Sequence, residues 1–412
     1  MRYLITLLVL TSSTFLIAQE LNFRNYSNEY SEIFETAEEE GKLVMLYFHF
    51  DQCGACREME RTAFVDESVA EFFNQNFISF EINTREKKGV EINKIYNIRS
   101  HPAFIFLDVN GNELNKIYGI FTPEKFIAQA KNALDPLKTL AFYHERYNSG
   151  DRDSDFMYDY CYRLEDANSL DSLVINEYLN TQNPNELSSE ENIRFIYEFM
   201  INNHKVCIGY SSEAYHFMRD NKDLFTQYFD LDQVETRLMF VINRSVYSAI
   251  GNKDATEFWK QLELLKEFDG KNYEFKEIWG GVTRWTTSTD LSQVAQINFY
   301  ESIGNKEKFH ELYQIKIDNM WDDSEALNEF AWNTYLFRDS EFVINKAIEC
   351  VLRSIQLDSN YNNADTYASL LYKSGDFEKA LEEARRAIEI AKAEGRYYTE
   401  TSDLIKKIKT DR

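Results

Sequence analysis

Residues 47–64, YFHFDQCGACREMERTAF, decide how the first part of this chain folds. The aromatic and aliphatic residues from Leu43 to Phe50 indicate a buried strand, and the residues after the second cysteine indicate a helix. Cys53 and Cys56 lie at the start of that helix and face each other across one turn, close enough to form or exchange a disulfide. A helix N-terminus favours a thiolate, because unpaired backbone N–H groups point toward it. A strand, a CxxC motif and a helix in this order indicate redox chemistry.

The N-terminus and the charge of the chain indicate an exported protein. Residues 1–18 combine Arg2, a short apolar run and Ala18, which is typical of a cleaved signal peptide. The apolar run is too short to span a bilayer, so we expect a soluble periplasmic protein with no integral membrane segment after signal removal. The chain has 45 basic and 69 acidic residues, a net charge of −24. This balance excludes nucleic acid as a partner, because phosphates would be repelled.

Helices and strands alternate in residues 19–136, which we predict to form the first domain. The pattern predicts an acidic helix over 28–40, strands over 43–49 and 77–83, a short helix over 89–98, a hairpin around Asn110-Gly111 and a last helix over 122–133. Asp66 is a candidate cap for a further helix. This order predicts an α/β fold with a central mixed sheet flanked by helices.

The segments YFHFDQCGACREMERTAF, FISFEIN and IRSHPAFIFLDVNGNEL together resemble the thioredoxin superfamily, in particular its exported bacterial branch. The resemblance covers about residues 25–135. It implies a thiol–disulfide oxidoreductase in which Cys53 is the exposed nucleophile and Cys56 resolves the mixed disulfide. It also implies a cis peptide bond before Pro102, and a substrate-binding surface formed by Gln52, His101 and Pro102. The implied partners are protein thiols or disulfides and an upstream redox partner, and no cofactor is implied.

Two positions depart from the usual thioredoxin pattern. Gln52 replaces the tryptophan that often precedes the first cysteine, and Tyr47 replaces the buried aspartate that usually accepts the proton of the second cysteine. The alternative proton acceptors are Glu58, Glu60 or a water. Lowering the pKa of Cys53 from about 8.5 to about 7 requires roughly 2 kcal/mol. A helix dipole contributes only about 0.3–1 kcal/mol, so hydrogen bonds to the thiolate must supply the rest.

The remaining histidines and cysteines have simpler interpretations. His101 either adds a positive charge near Cys53 or is a polar residue that contacts the substrate backbone, and both alternatives stay open. His49 fits a core histidine better than a ligand. We expect the other three cysteines, Cys161, Cys207 and Cys350, to be buried, inert thiols in helical segments. A zinc site is disfavoured, because two thiolates supply only half of a tetrahedral site and no second CxxC follows.

From about residue 137 the alternation of strands stops and helical periodicity takes over. Apolar stripes run through Leu231, Val234, Leu238 and Val241, and through Phe258, Leu262 and Leu265. A tyrosine precedes a glycine turn and a new helix at four places: Tyr147, Tyr247, Tyr300 and Tyr372. This punctuation predicts an all-α region of helical repeats. We assign no repeat type to residues 137–320.

The last segment, residues 321–412, resembles tetratricopeptide repeats. Small residues stand where paired helices pack closely: Ala368, Ala380 and Ala387, with Gly375 at the turn and Ala347 in a degenerate upstream copy. Stacked helical pairs form curved arrays that bind peptides or proteins. We therefore expect a protein client on this array.

Two functions follow from the sequence. The first is an exported thiol–disulfide oxidoreductase, preferably a reductase or isomerase, whose helical region binds clients or partners. The alternative is a helical-repeat adaptor whose first domain is a binding platform with little turnover. The intact CxxC motif and Pro102 favour the enzyme, while the replacements at Gln52 and Tyr47 keep the adaptor open.

Overall fold

The computed structural model describes residues 20–24, 30–202, 205–277 and 282–411. The chain divides into two compact units, residues 1–234 and 235–412. The predicted signal peptide, residues 1–18, lies outside the described residues, as does the predicted start of the first helix at residue 28. In the described ranges no helix is both long and apolar enough to cross a membrane.

A five-stranded mixed sheet forms the centre of the N-terminal domain. Its strands are β1 (Phe23–Arg24), β2 (Leu43–His49), β3 (Phe77–Asn83), β4 (Ala103–Leu107) and β5 (Glu113–Tyr118). Their order is β1-β3-β2-β4-β5. The pairs β1–β3 and β2–β3 are parallel, and the pairs β2–β4 and β4–β5 are antiparallel. This confirms the predicted mixed sheet; the short strand β1 was not predicted.

Helices cover both faces of the sheet. They are α1 (Glu32–Glu40), α2 (Gly54–Arg61), α3 (Glu67–Asn76), α4 (Lys87–Tyr96) and α5 (Pro123–Leu134). Residues of α2, α3 and α5 share one buried core with the sheet, which includes Met59, Phe73 and Phe126. Residues of α1 and α4, such as Ile33 and Ile92, share a second core with the opposite face. The sheet is therefore buried on both sides, which explains its nearly continuous apolar strands.

Local sequence signals set the helix starts. Asp66 accepts hydrogen bonds from the backbone N–H groups of Ser68 and Val69, which confirms the predicted cap. Thr122 accepts a hydrogen bond from the backbone N–H of Lys125, and Pro123 occupies the first helical position. These caps satisfy N–H groups that have no partner inside the helix.

Seven helices and a short hairpin complete the first unit. The helices are α6 (Leu140–Asn148), α7 (Ser154–Asp166), α8 (Ser172–Leu179), α9 (Pro184–Leu187), α10 (Glu190–Met200), α11 (Glu213–Asp220) and α12 (Lys222–Phe225); the strands are β6 (Ile201–Asn202) and β7 (Lys205–Val206). Helices α6 and α7 lie against β5. The Asn115 side chain on β5 accepts a hydrogen bond from the backbone N–H of Leu140 at 2.5 Å, and Gln129 on α5 donates to Asp166 at 2.6 Å.

The second unit is mostly helical. Its elements are α13 (Leu231–Asn252, which begins before the boundary), α14 (Ala255–Leu264), a 3₁₀ turn (Leu265–Phe268), β8 (Tyr273–Glu277), β9 (Val282–Thr286), α15 (Ser288–Ser302), α16 (Lys306–Asn319), α17 (Ser324–Phe337), α18 (Glu341–Leu357), α19 (Tyr361–Lys373), α20 (Phe377–Glu394) and α21 (Thr399–Asp411). The strands β6–β7 and β8–β9 form two small antiparallel hairpins that the expected all-α region did not include.

The helices α19 and α20 form the most closely packed pair of this unit. Ala368 and Ala380 are fully buried in one core with Leu370 and Ala384. The turn between the helices contains Gly375 with a φ of 88°, a conformation that favours glycine. The predicted small residues thus lie where the helices approach each other, while the repeat type stays a prediction.

Two detailed expectations about the helical region were wrong. Leu231 is 42% exposed, whereas the rest of its predicted stripe, Val234, Leu238 and Val241, is buried. Leu231 is the first residue of α13, so it lies at the exposed end of the helix. Cys207 is buried but follows β7 rather than lying in a helix.

Candidate thiol–disulfide site

The two cysteines of the CxxC motif lie where β2 ends and α2 begins. Cys53 is the N-cap of α2, and its sulfur accepts a hydrogen bond from the backbone N–H of Cys56 at 3.1 Å. The Cys53 N–H itself donates to the Phe50 carbonyl at 3.0 Å. A thiolate at Cys53 would therefore receive a backbone donor and the positive end of the helix dipole.

The two sulfurs form a disulfide, with Cα atoms 5.2 Å apart. Cys53 is 5% exposed and Cys56 is 1% exposed. Cys53 is the more accessible of the two, but it is less exposed than the resemblance implies. Both cysteines belong to the apolar core that includes Met59 and Phe64, which accounts for this burial.

Pro102 directly precedes β4, at the end of the sheet where β2 leads into the CxxC motif. The antiparallel register pairs Phe48 with Ala103, so the residues that follow β2 lie beside those that precede β4. The His101–Pro102 peptide bond is cis, as the resemblance implies. The His101 ring packs edge-on against Phe50, with centroids 5.1 Å apart. Because the Phe50 carbonyl accepts from Cys53, this contact links the proline loop to the first cysteine.

His101 is half-buried and held by one hydrogen bond. Its Nε2 lies 2.9 Å from the Thr84 hydroxyl, which also donates to the His49 carbonyl at 3.1 Å. Burial lowers the pKa of His101, and the charges of His49 and Arg85 lower it further. The imidazole is therefore mostly neutral at pH 7, which favours the polar-contact interpretation over the positive charge.

Arg85 is a residue of this site that the sequence analysis missed. Its guanidinium donates to the Gln52 side chain, directly before the first cysteine. It also lies over the Phe50 ring, 4.1 Å from the centroid. Arg85 reaches the site because β2 and β3 are parallel, so the residues that follow their carboxyl ends meet at one end of the sheet.

The sequence left the proton acceptor for Cys56 open, and in the structure the two candidate glutamates, Glu58 and Glu60, have different partners. Glu60 follows Cys56 by four residues on the same helix face, and it accepts a hydrogen bond from the Tyr47 hydroxyl at 2.9 Å. Glu58 instead forms an ion pair with Arg61 at 2.7 Å. Tyr47, which stands where thioredoxins usually have a buried aspartate, is itself buried and holds the Glu60 side chain through this hydrogen bond. Burial and this hydrogen bond raise the pKa of Tyr47, so the phenol stays protonated.

Comparison with known proteins agrees with this geometry. A family model described as a thioredoxin-like domain matches residues 30–134. Thioredoxin-1 of Drosophila melanogaster is 34% identical over 83 residues, which cover 71% of that protein and 20% of this chain. The chain belongs to the thioredoxin family. Thioredoxin-1 of Drosophila yakuba is 33% identical over 69 residues, or 60% of that protein and 17% of this chain.

Solved structures are similar to part of the chain. A thioredoxin from Thermus thermophilus is 22% identical, covering 28% of this chain and 88% of its own, with a TM-score of 0.25. The C-terminal domain of oxidised DsbD from Neisseria meningitidis is 19% identical, covering 25% of this chain and 90% of its own, with a TM-score of 0.23.

The cysteines outside the thioredoxin motif differ from Cys53. Cys161, Cys207 and Cys350 are buried and lie outside the Cys53–Cys56 disulfide. Burial raises the pKa of Cys161, and it raises that of Cys350 to about 12. A thiol with a strongly raised pKa is almost never a thiolate at neutral pH, so Cys161 and Cys350 are poor nucleophiles. In the described part of the chain, no three His, Cys, Asp or Glu side chains come together as a metal site.

A cavity of about 540 Å³ lies between β5 and the helices that follow the thioredoxin-like domain. Lys116 on β5 lines it, paired with Glu113 at 2.9 Å and donating to the Tyr96 carbonyl at 3.1 Å. On the helical side, His144 hydrogen-bonds to the Tyr160 hydroxyl at 2.7 Å. Most polar groups of this wall thus already have partners within the protein.

Proposed function

We propose that this protein is an exported thiol–disulfide oxidoreductase of thioredoxin type, with Cys53 and Cys56 as its catalytic pair. The observation that carries the proposal is the Cys53–Cys56 disulfide at the N-terminus of α2, next to the loop of the cis-proline Pro102. The proposal combines a cysteine pair that can cycle between dithiol and disulfide with an adjacent loop that would contact the client peptide.

In the reducing direction, the Cys53 thiolate attacks a client disulfide and forms a mixed disulfide, while one client sulfur leaves as a thiolate. The Cys56 thiolate then attacks the Cys53 sulfur, which forms the Cys53–Cys56 disulfide and releases the second client thiolate. The client gains two electrons and the enzyme loses two. An upstream dithiol partner restores the reduced enzyme, and the exchange needs no cofactor.

Gln52, His101 and Pro102 form the proposed substrate-binding surface. Gln52 is exposed beside Cys53, and His101 presents a mostly neutral ring between Phe50 and Thr84. Clients are protein thiols or disulfides. A neutral histidine fits a role in contact with a client backbone better than a role in thiolate stabilisation.

We further propose a periplasmic location after removal of residues 1–18, and a client-binding role for the helical regions 137–320 and 321–412. The end of α17 supports the second proposal, because Leu336 and Phe337 are 47% and 74% exposed. Large exposed apolar side chains next to each other are typical of interaction surfaces.

The decisive experiment is a Cys56→Ser trap in the full-length protein. This variant keeps the attacking thiol but cannot resolve the mixed disulfide, so client adducts should accumulate on non-reducing gels. Cys53→Ser is the matched control and should trap nothing. The reduction potential of the pair then gives the direction: about −270 mV indicates a reductase and about −120 mV an oxidant.

The adaptor alternative has one observation in its favour. Cys53 is only 5% exposed, which slows attack on a bulky client. If Cys56→Ser traps no protein while the wild type holds a partner non-covalently, the adaptor function is correct and the enzymatic proposal is wrong.

A further inference from the structure

Four side chains surround the first cysteine at the surface, and we call them the rim: Phe50, Gln52, Arg85 and His101. Arg85 joins them, because its guanidinium contacts both the Gln52 amide oxygen and the Phe50 ring. His101 packs on the other side of the same ring. The rim thus places one permanent cation next to the residue that precedes Cys53.

The loop that carries Arg85 is fixed in place. Asn83 donates to the Asp51 carboxylate at 2.8 Å, and the Thr84 backbone N–H donates to the His49 carbonyl at 2.9 Å. Gly89 in the first turn of α4 lets the loop close, because a Cβ there would lie 1.9 Å from the Asn83 carbonyl oxygen. Arg85 is therefore presented by a rigid loop, which reduces the entropy lost when its guanidinium binds a ligand.

The charge of Arg85 is available to a ligand. Among the residues that the structure describes, no carboxylate pairs with its guanidinium. The nearby acids are engaged elsewhere: Asp51 accepts from Asn83, and the Asn83 amide also lies 3.4 Å from a Glu86 oxygen. The other nearby arginine, Arg57, donates to the Asp51 carbonyl at 3.3 Å. Burial is the main cause of the lowered pKa of His101, and the positive charge of Arg85 also contributes. The Arg85 charge therefore acts on the loop that carries Pro102.

We propose that Arg85 selects client segments that carry a carboxylate next to the reactive cysteine. This inference rests on the proposed disulfide exchange and names its substrate class. A guanidinium binds a carboxylate with two parallel hydrogen bonds, and the Phe50 ring below holds its plane. The net charge of −24 disfavours acidic clients over most of the surface, so the Arg85 cation beside Gln52 gives such a segment a favourable point of approach.

The test compares three disulfides as substrates of the full-length protein. Two are peptides that differ only in having Glu or Gln beside each cysteine, and the third is the neutral bis(2-hydroxyethyl) disulfide. The variants are Arg85→Gln and Arg85→Glu. Arg61→Gln is the matched control, because it removes the same charge from the far end of α2, where Arg61 pairs with Glu58. The measured quantity is kcat/KM at low and high salt.

We expect the wild type to prefer the Glu peptide by about fivefold, the range of one exposed ion pair. Arg85→Gln should abolish this preference, Arg85→Glu should reverse it, and Arg61→Gln should keep it. High salt should weaken the preference, because it screens exposed charges. Reduction of the neutral disulfide gives the overall rate of each protein, and the preference is expressed as the ratio of kcat/KM for the Glu and Gln peptides, so a rate change common to all substrates cancels.

Two results would overturn the inference while leaving the proposed function intact: an acidic preference that survives in Arg85→Glu, or equal slowing of all three substrates by both Arg85 variants. The second result would show that Arg85 only maintains the loop. If instead the wild type reduces none of the three disulfides, the proposed function itself fails.

Discussion

The thioredoxin-like domain and the C-terminal helices differ in where their notable side chains lie: between elements in the first region and inside helices in the second. At the end of the sheet, Cys53, Thr84 and His101 lie in connecting segments, where hydrogen bonds join Cys53 to the backbone of α2, Thr84 to the backbone of β2, and Thr84 to His101. In helices α17–α21 small buried residues such as Ala331 and Ala380 lie among larger apolar ones, and they let the helices pack closely. Polar contacts there tie helix to helix, as when Lys373 donates to the Tyr335 carbonyl at 2.6 Å.

The difference shows that position within an element decides whether a residue reacts. A cysteine at a helix N-cap has unpaired N–H groups in front of it, whereas a cysteine inside a helix has none. Cys350 lies within α18, is fully buried and has a raised pKa. The same side chain is thus a proposed redox centre in one region and a packing residue in the other.

The largest expected effect tests this contrast with one substitution in each region. Cys53→Ser should reduce disulfide turnover to the uncatalysed rate, because the attacking sulfur is lost. Cys350→Ser should leave turnover unchanged and lower the free energy of unfolding by about 1–3 kcal/mol, the cost of a buried hydroxyl without a partner. Turnover assays and chemical denaturation measure the two outcomes. Loss of turnover in Cys350→Ser at intact stability would contradict the contrast.

The second prediction concerns the helical packing alone. Leu370→Ala on α19 removes a fully buried side chain and should cost about 2–5 kcal/mol of unfolding free energy. Leu352→Ala on α18 is the control, because Leu352 is 37% exposed and should cost less than about 0.5 kcal/mol. Neither change should alter reduction of a small disulfide. A drop in that activity for Leu370→Ala would mean that the two regions are energetically linked.

The third prediction separates the glutamates of α2. Glu60→Gln should slow the resolving attack of Cys56 by up to about 100-fold, because a carboxylate on the Cys56 side of the helix would no longer accept its proton. Glu58→Gln, whose carboxylate pairs with Arg61, should not change this step. Stopped-flow decay of a preformed mixed disulfide measures it directly. Equal rates in the two variants would leave water as the proton acceptor.

The smallest effect is expected at His101. Burial lowers the pKa of His101 below its ordinary value, so the neutral imidazole predominates at pH 7. His101→Ala should therefore leave the pKa of reduced Cys53, measured by alkylation against pH, unchanged within about 0.3 units. A clear rise in that pKa would restore the positively charged interpretation.

The same histidine gives a pH dependence of stability with a defined sign. The unfolded chain binds a proton at His101 more tightly than the folded protein does, since burial lowers the folded pKa. The stability associated with neutral His101 is present above about pH 6.5 and is lost as the pH falls toward the folded pKa. The loss of unfolding free energy on acidification should be smaller in His101→Ala than in the wild type.

Most of the α/β fold could be predicted because its signals are local. The strands over 43–49 and 77–83 have the predicted bounds, and the helix after Thr122 begins where its cap and proline indicate. The hairpins β6–β7 and β8–β9 could not be predicted in the same way. Short strands inside a helical region depend on packing partners that are distant in sequence rather than on periodicity.

The candidate site was predictable only in part. Cys53, Cys56 and Pro102 were predictable because each belongs to a short motif whose neighbouring residues also match the thioredoxin pattern. Arg85 reaches the site through the parallel pairing of β2 and β3, a contact between segments about 30 residues apart. The burial of Cys53 could not be predicted, because the core around it is formed by residues that are distant in sequence.

The packing of α6 and α7 on β5 has a consequence for how the protein avoids aggregation. β5 is the last strand of the sheet, and an open edge strand is a template for pairing with another chain. A chain that ended at the predicted boundary, Pro136, would lose this cover together with the Asn115–Leu140 hydrogen bond. Amide hydrogens of β5 should then exchange faster than those of β2. The first helices beyond the α/β domain thus lie against the strand that ends the sheet in the described part of the chain.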